Sequence, residues 1–289
     1  MSDKSPVPVG PVIALPGHAV ITLLGRDAVA FAQAQFMNDV DALADGEWHW
    51  SGWLTPKGRV IALFALLRKD PQTLWLVLLD GDAEAIVQRL RGYIFRSKVT
   101  IEIDEGVTVG GRFAAAARAR GYAIAEDGVN VELDLGTGEQ PRSLLIGGHL
   151  DAARDDCAAA HWRVADLQDG LPRLTDSERE QWTPQQLSLE RLQAFSVKKG
   201  CYPGQEIVAR THFLGKAKRG LALLTGGSPI AVGSDVMSEG KPLGRVMSAA
   251  SAAGEHVALA VLPLERAQAA LLVDGADVVE APLRDGLAR

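Results

Sequence analysis

The run from Val60 to Leu67, Val-Ile-Ala-Leu-Phe-Ala-Leu-Leu, constrains the fold of this chain more than any other segment. It contains no polar residue. A strand built from it carries apolar side chains on both faces, so its sheet needs a hydrophobic layer on each side. It falls far short of the ~20 apolar residues that cross a bilayer. The residues before it alternate: Trp48, Trp50 and Leu54 belong to one strand face, His49 and Trp53 to the other. Thr55-Pro56-Lys57-Gly58 supplies the turn between the two strands, and a further strand, Thr73–Leu79, follows Pro71.

The rest of the first half mixes short elements. Val12–Leu15 and Ala19–Leu24 are β-rich and separated by Pro16-Gly17. Asp27 is expected to cap a helix running through Phe36, and Asp82–Tyr93 to form another. Ala114–Arg120 and Asp151–His161 are Ala-rich and predict helices, while Val99–Ile103, Val129–Leu135 and Ser143–Ile146 predict strands. No clean βαβ crossover is evident, so the expected class is α+β with a largely antiparallel sheet. After Gly220 the pieces Leu221–Leu224, Gly244–Ser248, Val257–Val261 and Val278–Glu280 are short, β-like and punctuated by Gly, Pro and Asp. They predict a small terminal β-barrel or sandwich over 218–289, following a region 12–217 and a flexible lead-in over 1–11.

A length of 289 residues suits about two domains. Lys and Arg total 30 against 36 Asp and Glu, a net charge of -6, which weakens any general pull on phosphate backbones or anionic lipid. Lys216-Ala-Lys-Arg219 is the one basic run, and such runs are usually solvated surface; no direct nucleic-acid binding and no membrane partner are expected. The N-terminus lacks the apolar stretch of a secretory signal. Two cysteines, Cys157 and Cys201, are too few for a disulfide framework or a closed Cys-based metal site, and fit a reducing, cytoplasmic setting with no permanently bound metal. GxGxxG, Walker, GxSxG and HExxH patterns are all absent. Cys157 and His161 share a helix face at i,i+4, which reads as a small buried thiol beside a polar histidine rather than a ligand pair.

The densest segment is Phe195-Ser-Val-Lys-Lys-Gly-Cys-Tyr-Pro-Gly-Gln-Glu-Ile-Val-Ala-Arg210. Gly200, Pro203 and Gly204 force an irregular backbone around Cys201, and a helix is expected over Gln205–His212. A thiol between Lys198, Lys199 and a helix N-terminus sits where a thiolate is favoured electrostatically. The bland alternative is an inert buried cysteine. All six tryptophans precede the tail, among them Trp48, Trp50, Trp53, Trp162 and Trp182; indole suits stacking on a planar heterocycle in a cleft, although most tryptophans are core.

Lys199-Gly-Cys-Tyr-Pro-Gly-Gln-Glu206 closely resembles the YgfZ family of folate-binding proteins, relatives of the glycine-cleavage T-protein that assist iron–sulfur proteins. The segments Ala34–Asp39, Leu54–Arg59, Tyr93–Val99, Trp162 with Asp169–Pro172, Thr183–Gln185 and Phe213–Arg219 fall in the family's order, so the resemblance covers most of residues 12–225. It implies a three-part ring of two interleaved α+β subdomains and a C-terminal β-barrel, with tetrahydrofolate or a derivative in a central, tryptophan-lined cleft. Cys201 takes the place of the motif cysteine that faces this cleft, and Trp162 that of a folate-contacting tryptophan. His18 stands where the family has its other such tryptophan, and Gln168 where relatives usually carry a glutamate. Asn38, Arg59, Tyr202, Gln205 and Glu206 complete the implied folate-binding set, with Lys199 beside the reactive or transiently ligating Cys201.

Aminomethyltransferases place a carboxylate just after the turn corresponding to Lys57-Gly-Arg59; here Val60–Phe64 has none, so the expected electrostatic assistance to glycine-cleavage chemistry is missing. The leading expectation is a folate-dependent accessory factor for synthesis or repair of iron–sulfur proteins, with client or carrier proteins as partners and a bearing on tRNA modification. The alternatives are an aminomethyl or one-carbon transferase and a non-catalytic folate-sensing module.

Overall fold

The computed structural model describes residues 10–138, 140–215 and 217–289; most of the expected N-terminal lead-in, and Lys216 of the basic run, lie outside the described residues. Among these, three β units account for the architecture. The first sheet is built from β2 (Ala19–Leu24), β3 (Glu47–Leu54), β4 (Val60–Asp70), β5 (Thr73–Leu78) and β6 (Thr100–Ile103), in the order β3-β4-β5-β2-β6. The second contains β1 (Ile13–Ala14), β7 (Thr108–Arg112), β8 (Ala125–Glu126), β9 (Asn130–Asp134) and β10 (Ser143–Gly147), in the order β1-β7-β10-β9-β8. Because β1 joins the second sheet before the chain builds the first, the two subdomains interleave. The third unit is a closed barrel, β11-β14-β13-β12-β15-β16, from β11 (Arg219–Gly226), β12 (Asp235–Ser238), β13 (Lys241–Ala252), β14 (Glu255–Pro263), β15 (Leu271–Val273) and β16 (Ala276–Ala281).

The double-sided burial expected of Val60–Leu67 is what organises the first sheet. Val60, Leu63, Ala65 and Leu67 enter a core shared with the second sheet and with the outward face of the barrel, together with Trp48, Trp50 and Leu54 of β3. Ile61, Phe64 and Leu66 enter the opposite core with Trp53, under helices α1 (Ala28–Gln35) and α2 (Ala83–Arg91). The barrel alternates in the same way: Ala258, Ala260 and Leu262 fill its interior, whereas Val257, Leu259 and Val261 face the body of the protein. Helix α3 (Asp156–Gln168) lies between the second sheet and the barrel, and α4 (Gln205–Phe213) follows the motif loop.

Three local expectations need correction. Asp27 precedes α1 but does not cap it; its carboxylate accepts instead from the Lys98 amide at 2.6 Å. Ala114–Arg120 is not a helix. The Glu132 carboxylate accepts from the amides of Ala117, Arg118 and Ala119, while the Arg120 guanidinium donates to the carbonyls of Ala116, Ala117 and Ala119, so side chains satisfy the backbone groups that a helix would have paired. The helix expected at Asp151 starts at Asp156, because Asp155 caps it through Ala158 N at 2.9 Å, and it continues to Gln168.

Candidate functional site

The motif segment is a loop pinned from within. Ser196 Oγ accepts from the amides of Lys198 and Lys199, the Tyr202 hydroxyl donates to Ser196 O at 3.3 Å, and Gln205 Nε2 donates to Lys199 O at 3.1 Å. Gly204 has φ +80 at the N-cap of α4, and a Cβ there would lie 2.6 Å from Thr55 O and 2.7 Å from Gly58 Cα. Only glycine lets the motif backbone seat on the β3–β4 turn.

Lys199 supplies the strongest tether. Its ammonium is buried and donates to three main-chain carbonyls, Gln33 O at 2.7 Å, Phe36 O at 2.6 Å and Asn38 O at 2.8 Å. These carbonyls lie at and just past the C-terminal end of α1, where unpaired acceptors and the helix dipole favour a cation. Burial lowers its pKa to about 8, against the pull of Asp39 and Asp41. Neighbouring His49, on β3, is lowered to about 4 by burial and then by the Lys199 charge. Asn38 is a strut in the same region: its amide donates to Trp50 O and Gln193 O, both at 2.8 Å.

Cys201 is different. Its side chain is exposed, on a loop whose other motif side chains are largely turned to internal contacts. Tyr202 is buried under the Lys199 ammonium, and burial raises its pKa to about 12. Glu206 is exposed and pairs with Arg210 at 3.2 Å. Arg59 donates to Gln181 O and Gln186 Oε1, tying the β3–β4 turn to the segment around Trp182. Lys199, whose three protons are taken by carbonyls, is thus a positioning residue for the loop.

Four of the tryptophans expected to line a cleft are sealed among the described residues. Trp48, Trp50, Trp53 and Trp162 are each at most 1% exposed and serve as core. Trp162 lies against Gly111, where a Cβ would come within 2.7 Å of the indole, and carries the Arg142 guanidinium 4.7 Å from a ring centroid. Gln168 donates to Glu255 of the barrel at 2.5 Å. His18 lines a cavity of about 470 Å3 with Pro16, Val107, Thr108 and Arg154. Both its ring nitrogens are shielded from solvent and lack hydrogen-bond partners; the Leu15 carbonyl is near the ring but outside hydrogen-bond geometry. Cys201 does not line this cavity. Cys157, expected to be buried, is exposed, with Sγ 3.7 Å from His161 Nδ1.

Sequence reasoning missed a buried charge network. Arg142 bridges Asp166 at 2.6 Å and Asp169 at 2.5 Å; Arg173 pairs with Asp166 at 2.7 Å and approaches Asp80 at 2.6 Å. Burial raises the pKa of both Asp80 and Asp169, with the arginines opposing. A signal was available: Asp166 and Asp169 follow Trp162 by four and seven residues, so two carboxylates occupy the apolar face of α3. Asp80 also brings a carboxylate beside Ala62 and Leu63, in the part of β4, Val60–Phe64, that has none of its own. No group of three or more His, Cys, Asp or Glu side chains among the described residues is placed to hold a metal, and no helix among them is long and apolar enough to cross a membrane.

Comparison with known proteins adds two findings. The chain is 28% identical over 230 residues to the tRNA-modifying protein YgfZ of Colwellia psychrerythraea, covering 74% of this chain and 71% of that one. It is 27% identical over 295 residues to the protein of the same name from Aliivibrio fischeri, covering 91% and 88%. In three dimensions it matches a crystal structure of the glycine cleavage system aminomethyltransferase T from Bartonella henselae with a TM-score of 0.69 and 16% identity, over 93% of this chain and 84% of that one. No family model matches the sequence.

Proposed function

Because the chain belongs to the YgfZ family and has the fold of the glycine-cleavage T-protein, we propose that it is a folate-binding accessory factor in iron–sulfur protein synthesis or repair, with consequences for tRNA modification, and that it acts through Cys201. The observation that carries this proposal is the contrast inside the motif: Cys201 is exposed, while Lys199, Tyr202 and Gln205 are turned inward to hold its loop. A loop built in this way presents one sulfur donor to a partner without needing to reorganise. One thiol cannot hold a cluster alone, so the client or carrier protein provides the remaining ligands.

For folate, His18 fits best. Its two unpartnered ring nitrogens offer one donor and one acceptor, and the cavity it lines is within the size range of small-molecule sites. Trp162 and Gln168 do not line this cavity: the indole is sealed and the amide is held by Glu255. Bound tetrahydrofolate would supply one-carbon or redox chemistry; the chain's own part is to bind and orient it. The transferase alternative lacks a carboxylate over Val60–Phe64 of β4, and Asp80 beside them is engaged by Arg173.

The test is complementation. In a deletion strain, Cys201→Ser abolishes rescue of iron–sulfur enzyme activity, while Glu84→Ala, at an exposed position of α2, rescues fully. Full rescue by Cys201→Ser removes the cysteine from the mechanism. Separately, tetrahydrofolate titration followed by tryptophan fluorescence gives saturable quenching that His18→Ala weakens; equal affinity in both proteins takes His18 out of the site.

A further inference from the structure

Helix α4 leaves its largest apolar side chains uncovered. Val208 is its buried residue, whereas Phe213 and Leu214, where the helix stops, are 66% and 84% exposed. Phe213 meets the ring of His212, itself exposed, edge-on at 4.8 Å. Lone exposed apolar residues are ordinary surface. Two consecutive large ones gain weight from what shares their face. Glu206, Arg210, Phe213 and Leu214 recur at i, i+4, i+7 and i+8, one stripe of the helix, and all four are exposed.

The stripe starts at the motif loop. Helix α4 is nine residues long, about 13 Å at 1.5 Å per residue, so its apolar end lies one helix length from the loop that presents Cys201. Its first turn packs on the β3–β4 turn, where a Cβ on Gly58 would come 2.8 Å from Ile207 Cβ, and this contact brings Lys57 to the same end of the helix. Lys57 and Lys198 are exposed, and neither ammonium has a hydrogen bond or ion pair among the described residues. Arg210 pairs with Glu206 at 3.2 Å, while Asp39 and Asp41 act on the buried Lys199 charge. Lys57, Lys198 and Arg210 against Glu206 leave an excess of positive charge here, on a chain whose net charge is -6.

We propose that this face docks an acidic protein surface with an apolar recess: Phe213 and Leu214 enter the recess, and Lys57, Lys198 and Arg210 pair with carboxylates around it, holding the partner over Cys201. A standard interface covers about 800 Å2 of each partner, roughly 30 Å across, so one partner spans the apolar tip, the lysines and the thiol together. The composition matches an interface with an apolar anchor and a charged rim. A branched aliphatic such as Leu214 fits a protein recess and offers no ring for a nucleic-acid base. The partner's identity as an iron–sulfur client or carrier rests on the function proposed above; the docking face itself does not.

The experiment is isothermal titration of the full-length protein with the apo form of an acidic two-iron ferredoxin, at low and at high salt. Wild type is compared with a variant carrying Phe213→Ser and Leu214→Ser and with one carrying Lys57→Glu and Lys198→Glu, all at exposed positions, with folding checked by the melting temperature. The expected result is saturable binding that salt weakens and that each double variant weakens about tenfold or more. The proposal is overturned if wild type does not bind saturably, or if the double serine variant binds as tightly as wild type. It is also overturned if sedimentation shows a dimer of this chain that the serine variant dissolves, or if the serine variant loses binding of bulk tRNA while keeping that of ferredoxin. Complementation separates docking from the thiol. Rescue lost with Cys201→Ser but complete with the double serine variant overturns the docking face and leaves the cysteine in place. Full rescue by Cys201→Ser, with ferredoxin binding lost in the serine variant, removes the thiol and upholds the docking face.

Discussion

Lys199 and Arg142 are both buried cations, and the protein compensates them by different means. The Lys199 ammonium sits among three carbonyls at the end of α1. The Arg142 guanidinium sits between two carboxylates on α3, and Asp166 passes the chain of charges on to Arg173. A carbonyl cage fixes a backbone position, because each acceptor belongs to the main chain and the helix end they mark is itself rigid. A charge network joins separate elements through their side chains, here the residue before β10, α3 and the segments after β5 and α3. The first arrangement suits presenting a thiol and the second suits holding those elements together.

Removing one member from each region tests that distinction. Asp166→Ala leaves Arg142 and Arg173 each short of a carboxylate, and the expected loss is about 3–5 kcal/mol in chemical denaturation. A loss below about 1 kcal/mol would mean that the network is effectively solvated, and the contrast with Lys199 would disappear. Lys199→Met leaves three carbonyls without their donor and is expected to cost about 1–3 kcal/mol at pH 7, with a changed alkylation rate at Cys201 as the readout of loop position.

The same lysine gives a pH signature. Its native pKa is about 8, below the ordinary unfolded value near 10.4, so between these two values the unfolded chain binds more protons. Wild type therefore gains stability relative to Lys199→Met as pH rises from about 8 to 10, and a constant difference across that range would show that the ammonium is not buried in solution. Gly204→Ala comes next, about 1–2 kcal/mol from the left-handed backbone alone, with further displacement from the Thr55 contact. Smallest is Glu206→Ala, at an exposed i,i+4 pair, for which the denaturation midpoint stays within error of wild type.

What the amino-acid sequence determined by itself was periodic or local. The alternation around Trp48 and Trp53, the unbroken apolar run of β4 and the short strands after Gly220 each specify a side to be buried, and both sheet and barrel follow from them. Tertiary structure decided where the long polar side chains go. Lys199 bonds carbonyls 161 to 166 residues away in sequence, Glu132 satisfies the amides of a stretch that composition alone makes helical, and Trp162 is closed off by Gly111 of β7 and by Arg142, just before β10. The physical reason is one of range. A hydrophobic pattern acts on whichever neighbour is nearest, whereas a buried cation or amide needs a particular partner, and that partner exists only once distant segments have docked.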